Sequence, residues 1–135
     1  MNDALNIIQR AAHRGACQMD LVKAALACVR SVVPLASVST TEVQMALVAT
    51  ERWAANPTGV NAGLTLEAVP DLAGISEQNA ETVDVSLLLA AAMAALAAAN
   101  ADFTTLTSVF AVEYAQKAAM GREIDLAPIV TAELL

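Results

Sequence analysis

Aromatic residues are scarce in this chain: Trp53, Tyr114, Phe103 and Phe110 make up 3% of it. Strands draw on aromatic and β-branched side chains. The valines here, Val32, Val33, Val43 and Val48 among them, come singly or in pairs and never alternate over a long run, so no sheet is expected. Histidine occurs only as His13, and cysteine only as Cys17 and Cys28. A zinc site normally takes three or four such ligands, and there is no CxxC pair or Cys/His cluster, so neither metal nor cofactor is expected. Nor do two cysteines make a disulfide framework. Both fall among apolar helix residues and read as small buried hydrophobes, which fits a reducing cytoplasm. Positive charge is also in short supply, with 7 Lys and Arg against 14 Asp and Glu and a net charge of −7. Without a basic stripe to neutralise phosphates, nucleic acid is not an expected partner.

Long apolar runs are missing too. Leu87–Ala99 is wholly apolar, but it has thirteen residues and is bracketed by Asp84 and Asn100. A membrane span needs roughly 20. The first residues lack the apolar core preceded by positive charge that marks a signal peptide. The expectation is a soluble, cytoplasmic domain with no membrane contact.

What the sequence does have is alanine, which lifts the hydrophobic share to 57%. Alanine loses no side-chain entropy on entering a helix, so the composition favours helices packed closely through small side chains. The 3–4 spacing of apolar residues predicts a first helix over Ala4–Arg14, capped by Asp3 and ended by Gly15. A second follows over Leu21–Val33, with Asp20 as its cap and Pro34 as its stop. Only Lys23 and Arg30 on it need water, so it should be buried on most sides. The capping box Ser39-Thr40-Thr41-Glu42 opens a third helix, which runs to Ala55 before Asn56-Pro57. A fourth, Val60–Val69, should end at Pro70, leaving Asp71 to Glu81 as a loop. The fifth spans Val83–Ala99, with Val85, Leu89, Met93 and Leu96 as its large-residue stripe. A sixth starts from Asp102, sets Phe103, Leu106, Phe110 and Tyr114 on one side and stops before Gly121. A last short helix, Leu126–Glu133, is capped by Asp125.

The fold class is therefore all-α: a six- to seven-helix bundle or a short α-solenoid in one domain, 1–135, whose halves 1–70 and 82–135 a loop can join. Asp20 and Asp84 each begin an apolar helix, and Ser39 and Asp102 each begin the helix after it, at offsets of 64 and 63 residues. Two pseudo-repeated α-hairpins would produce this echo, and so would any helical bundle.

No set of residues forms a catalytic constellation. His13 has no Ser, Cys or carboxylate at a suggestive spacing and reads as a surface histidine near a helix end. Glu42 and Glu51, nine residues apart on one helix, lie about 13 Å apart along its axis, too far to act on one bond. Glu77, Glu81 and Asp84 read as an acidic helix entrance favoured by the macrodipole. Gly59-Val60-Asn61-Ala62-Gly63 reads as turn and helix-start chemistry. Trp53, one turn before Asn56-Pro57, either closes the core at the bend or anchors an interface.

The stretch Ala49-Thr50-Glu51-Arg52-Trp53, followed by Asn56-Pro57-Thr58 and Asn61, resembles the central signature of an uncharacterised bacterial all-helical family linked to secretion-system gene neighbourhoods. The helix residues Ala24-Ala25-Leu26-Ala27-Cys28-Val29-Arg30 and the later alanine-rich helix are similar too. More loosely, the pattern resembles helical immunity proteins of bacterial toxin systems. The likeness covers Leu21 to Val69, with helix order beyond it; the further tryptophans and proline-rich linker of the first family are absent here. It implies no catalytic residues. It implies a non-enzymatic protein-binding domain, an accessory or immunity-type protein whose partner is a basic toxin or secretion component. A self-associating homodimeric module is the alternative. The residues expected to meet a partner are the acidic Glu67, Asp71, Glu77, Glu81 and Asp84 around the mid-chain loop, with Trp53 at their edge.

Overall fold

The computed structural model describes residues 4–32, 41–78, 83–119 and 125–134. They form seven α-helices and no strand: α1 (Ala4–His13), α2 (Gln18–Val32), α3 (Thr41–Ala55), α4 (Gly59–Gln78), α5 (Val83–Ala99), α6 (Thr104–Ala119) and α7 (Ala127–Leu134). A 3-10 turn, Ala101–Phe103, joins α5 to α6.

α5 packs against α2, α3, α4 and α6, and α2 packs against α3, α5, α6 and α7. A solenoid repeat meets only its neighbours. Here α1 lies on α6 and α7, so the chain is a bundle. The expected hairpins are unequal: α5 and α6 pack along each other extensively, while α2 meets α3 over a shorter stretch.

One core cluster draws Ile8 from α1, Leu21, Val29 and Val32 from α2, Val43 and Leu47 from α3, Val112 from α6 and Val130 from α7 around buried alanines of α5. Ala90, Ala91 and Ala94 of α5 and Ala111 and Ala115 of α6 have no exposed surface. The small side chains let the two helices approach closely, and the burial of their many methyl groups adds up.

Capping accounts for several of the described helix ends. Gly15 takes φ 86°, the left-handed conformation that closes α1. No atom lies within 4 Å of where a Cβ would stand, so Gly15→Ala should cost only the backbone term, about 1–2 kcal/mol. Urea unfolding of the two proteins checks it. Asp20 is not the cap of α2, because the helix starts earlier and Asp20 lies in its first turn. The Cys17 carbonyl accepts the Leu21 N–H at 3.1 Å, and Gln18 Nε2 donates to the Ala97 carbonyl at the end of α5 at 3.0 Å. Asp102 is likewise not the cap before α6. Asn100 Oδ1 accepts the Asp102 N–H at 3.0 Å, and Thr104 Oγ1 donates to the Ala97 carbonyl at 2.8 Å. Asp125 does cap α7, its Oδ1 accepting the Ala127 N–H at 3.1 Å. The capping box from Ser39, the stop at Pro34 and the break at Gly121 lie outside the described residues.

The largest departure from the sequence reading is α4. It does not end before Pro70 but runs on to Gln78, so Asp71–Gln78 is helix and not loop. A proline inside a helix removes one backbone hydrogen bond and crowds the preceding turn. Here α4 lies along α5 and α3, and packing of this kind overrides local propensity.

Candidate functional site

The stretch that carries the family resemblance folds as a structural unit. Thr50 is buried and its hydroxyl donates to the Ala46 carbonyl at 2.8 Å. Arg30 Nε donates to Glu51 Oε1 at 2.6 Å and Arg30 Nη1 to Gln44 Oε1 at 3.2 Å, tying α2 to α3. Both charged side chains are partly exposed (36% and 44%), so the pair contributes at most about 1 kcal/mol. After Pro57, Thr58 caps α4: its carbonyl accepts the Ala62 N–H at 3.0 Å and its hydroxyl the Asn61 N–H at 3.2 Å. Asn61 Nδ2 closes the turn by donating to the Asn56 carbonyl at 2.8 Å.

Of the two readings of Trp53, the same geometry selects core packing and removes the residue from the partner-binding set. It is 5% exposed and packs with Val22, Ala97 and Ala98, against Met19, Ala54 and Ala62. A ring enclosed between α2, α3 and α5 has no face left for a partner. Among the acidic residues, Glu67 is exposed on α4. Asp71 and Glu77 follow on the same helix and Asp84 stands in the first turn of α5; their side chains, and Glu81 altogether, lie outside what is described.

α6 presents the feature that sequence reasoning missed. Its buried face is made of Thr104, Thr107, Ser108, Ala111, Val112, Ala115, Ala118 and Ala119. Three large apolar residues point outward instead: Phe103, at the turn before it, is 57% exposed, Leu106 54% and Phe110 37%, while Val112 is buried and Val109 and Tyr114 pack partly against the core. α6 packs extensively on α5, whose Ala90, Ala91 and Ala94 are fully buried, and small side chains permit a close approach there. The buried hydroxyls are satisfied locally: Thr107 donates to the Phe103 carbonyl at 2.8 Å and Ser108 to that of Thr105 at 3.3 Å. Tyr114, partly buried against the core, has its ring 5.2 Å from Lys117 Nζ.

Two hollows meet at Phe103. One, of about 700 Å³, lies toward α1 and is lined by Gln9, His13, Asp102 and Leu106. The other, of about 350 Å³, lies toward α4 and is lined by Leu66, Asn100 and Thr107. Leu66 is itself 53% exposed, which extends the apolar surface from α6 onto α4. Further exposed apolar side chains are Met45 and Val48 on α3 and Val60 and Leu64 on α4.

Among the described residues no group of three or more His, Cys, Asp or Glu side chains could hold a metal ion, and no helix is long and apolar enough to cross a membrane. The cysteines differ from each other. Cys28 is buried, and desolvation pushes its thiol from 9.0 up to about 12. Cys17, expected to be buried, is exposed, because it precedes α2 and does not face the core. At neutral pH, Cys17 should be alkylated in the native protein and Cys28 only on unfolding, which mass spectrometry can read. The unfolded chain releases the Cys28 proton near pH 9.0 and the folded chain near 12. This contribution to stability is therefore complete below pH 9.0 and falls as pH rises toward 12, and Cys28→Ala should remove that part of the alkaline slope.

Comparison with protein-family models, with curated proteins and with solved structures finds no match to this chain.

Proposed function

We propose that this chain is a non-enzymatic protein-binding domain that receives its partner on the outward face of α6. The observation that carries this reading is the exposed stripe of Phe103, Leu106 and Phe110 on a helix that buries its small residues. Large aromatic and aliphatic side chains grouped on a surface are the usual anchors of an interface. Their spacing and the flanking hollows suit a helix laid into a groove.

The rim supplies the chemistry of the partner. Asp102 is exposed beside Phe103 and Glu67 beside Leu66, and the whole chain carries −7. A basic protein with an apolar helix face fits that surface. A second copy would bring the same negative charge, which works against a homodimer. The resemblance supports the finer reading of an accessory or immunity-type protein for a basic toxin or secretion component. In it Asp71, Glu77, Glu81 and Asp84 join Glu67 in steering the encounter.

The test begins with light scattering of the chain alone and continues with calorimetric titration against the proteins encoded beside its gene. The expected result is a monomer that forms a stoichiometric complex with a basic neighbour, more weakly as salt rises. A stable homodimer, and no binding to any neighbour, would replace this reading with self-association.

A further inference from the structure

α7 packs on α1 and α2, and α1 packs on α6 and α7 with a much smaller contact to α2. Each of the two helices therefore takes one of its two main supports from the other. Their own buried surface is small. α1 encloses Ala4 and Ile8, and α7 with the residue before it encloses Val130 and Leu126, whereas α2 encloses eight side chains.

The seam between α1 and α7 is open along one edge. A groove of about 920 Å³ runs there, and Ile7 and Ala11 of α1 and Leu134 of α7 line it partly covered. Helices of ten and eight residues are marginal without packing. Elements with few buried apolar contacts open at the low end of a protein's range of free energies.

The first turn of α1 carries a reporter of its docking. Leu5 stands second in the helix, where an N–H has no acceptor within its own helix. Its acceptor is Gln116 Oε1 on α6, at 2.9 Å. That amide is shielded while α1 lies on α6, and helix formation in a detached α1 would not shield it.

We infer that α1 and α7 open together as one unit, away from a body formed by α2 to α6. Mutual support couples them: loss of α7 uncovers Ile7 and Ala11, and loss of α1 removes one of the two surfaces on which α7 rests. The opposite side of α1, with Gln9, Ala12 and His13, walls the hollow beside Phe103, so opening of the unit also takes away that wall. The opening itself does not rest on the docking role proposed for α6.

Amide exchange followed by NMR across a urea series tests this in the intact chain. The Leu5 amide and those of α7 should share one opening free energy, lower than that of α2 and α5 and with a shallower dependence on urea. Val130→Ala, which truncates the buried side chain of α7, should speed exchange at Leu5 and in α7 by the same factor, about tenfold or more. Ile8→Ala should do the same from the α1 side. Ile129→Ala, at a position packed partly against the core, gives a milder form of the comparison should Val130→Ala fail to fold. Two results would overturn the inference. One is a Leu5 amide that keeps its wild-type rate when a truncation in α7 speeds α7, which means separate openings. The other is a wild-type protein in which Leu5 and α7 exchange with the free energy and urea dependence of α2 and α5, which means global unfolding alone.

Discussion

Trp53→Ala is expected to lower the unfolding free energy by about 3–5 kcal/mol. The ring is 5% exposed and fills the space between α2, α3 and α5, where its neighbours Val22, Ala97 and Ala98 are too small to close over a cavity. Aromatic residues are 3% of the chain, and the other three stand on or beside α6, so nothing of similar size lies at this junction. A domain of this kind holds roughly 5–15 kcal/mol in all, and the variant would keep a small reserve. The midpoint of urea unfolding should fall while its slope is unchanged, since the surface exposed on unfolding is nearly the same. Trp53→Phe should lose less. An unchanged midpoint in Trp53→Ala would mean that the ring does not close the core. The result also bears on the resemblance, because Trp53 lies within a stretch whose polar residues form the α3–α4 turn and the tie to α2. Residues that hold a bend together carry no binding role by themselves.

Much of the architecture was legible in the sequence because local rules and tertiary packing agree there. Gly15, Asn56-Pro57 and the bounds of α5 fall where turn chemistry and alanine content place them. α2 buries Leu21, Val22, Ala24, Ala25, Leu26, Cys28, Val29 and Val32, as its lack of a polar face requires. The misses occur where the two levels disagree. Pro70 argues for a helix end, but the length of α4 packed on α5 decides otherwise. Asp20 stands one turn too late to cap α2, and Asp102 lies inside the 3-10 turn that Asn100 caps; Gln18 reaches the distant Ala97 carbonyl, a contact a local pattern does not reveal. On α6 the spacing offers two faces, one of large apolar residues and one of small and hydroxyl residues. The usual preference is to bury the first. Packing against α1, α2 and alanine-rich α5 buries the second instead, and those contacts belong to other segments of the chain. A sequence signal existed in retrospect: Thr104, Thr107, Ser108, Ala111 and Ala115 follow helical spacing as closely as Phe103, Leu106 and Phe110 do.

Phe103→Ser combined with Leu106→Ser is therefore expected to separate binding from folding. Both side chains are more than half exposed, and surface substitutions away from caps and buried networks usually stay within about 0.5 kcal/mol of the parent stability. If α6 is the docking face, the same pair should cost at least about 2 kcal/mol of affinity, roughly thirtyfold, because central apolar anchors dominate an interface. Loss of anchoring contacts acts after the encounter, so the change should appear as faster dissociation. Neutralising Glu67, Asp71, Glu77, Glu81 and Asp84 should act differently, slowing association and flattening its dependence on salt while leaving dissociation nearly unchanged. Surface plasmon resonance against the basic neighbour resolves the two rates. If the serine pair leaves dissociation as it was, the α6 face is not the docking surface. If the neutralised acids leave association as it was, the charge is there for solubility alone. The two variants together decide whether the outward turn of Phe103 and Leu106 serves a partner or is only what remains when α6 buries its small side.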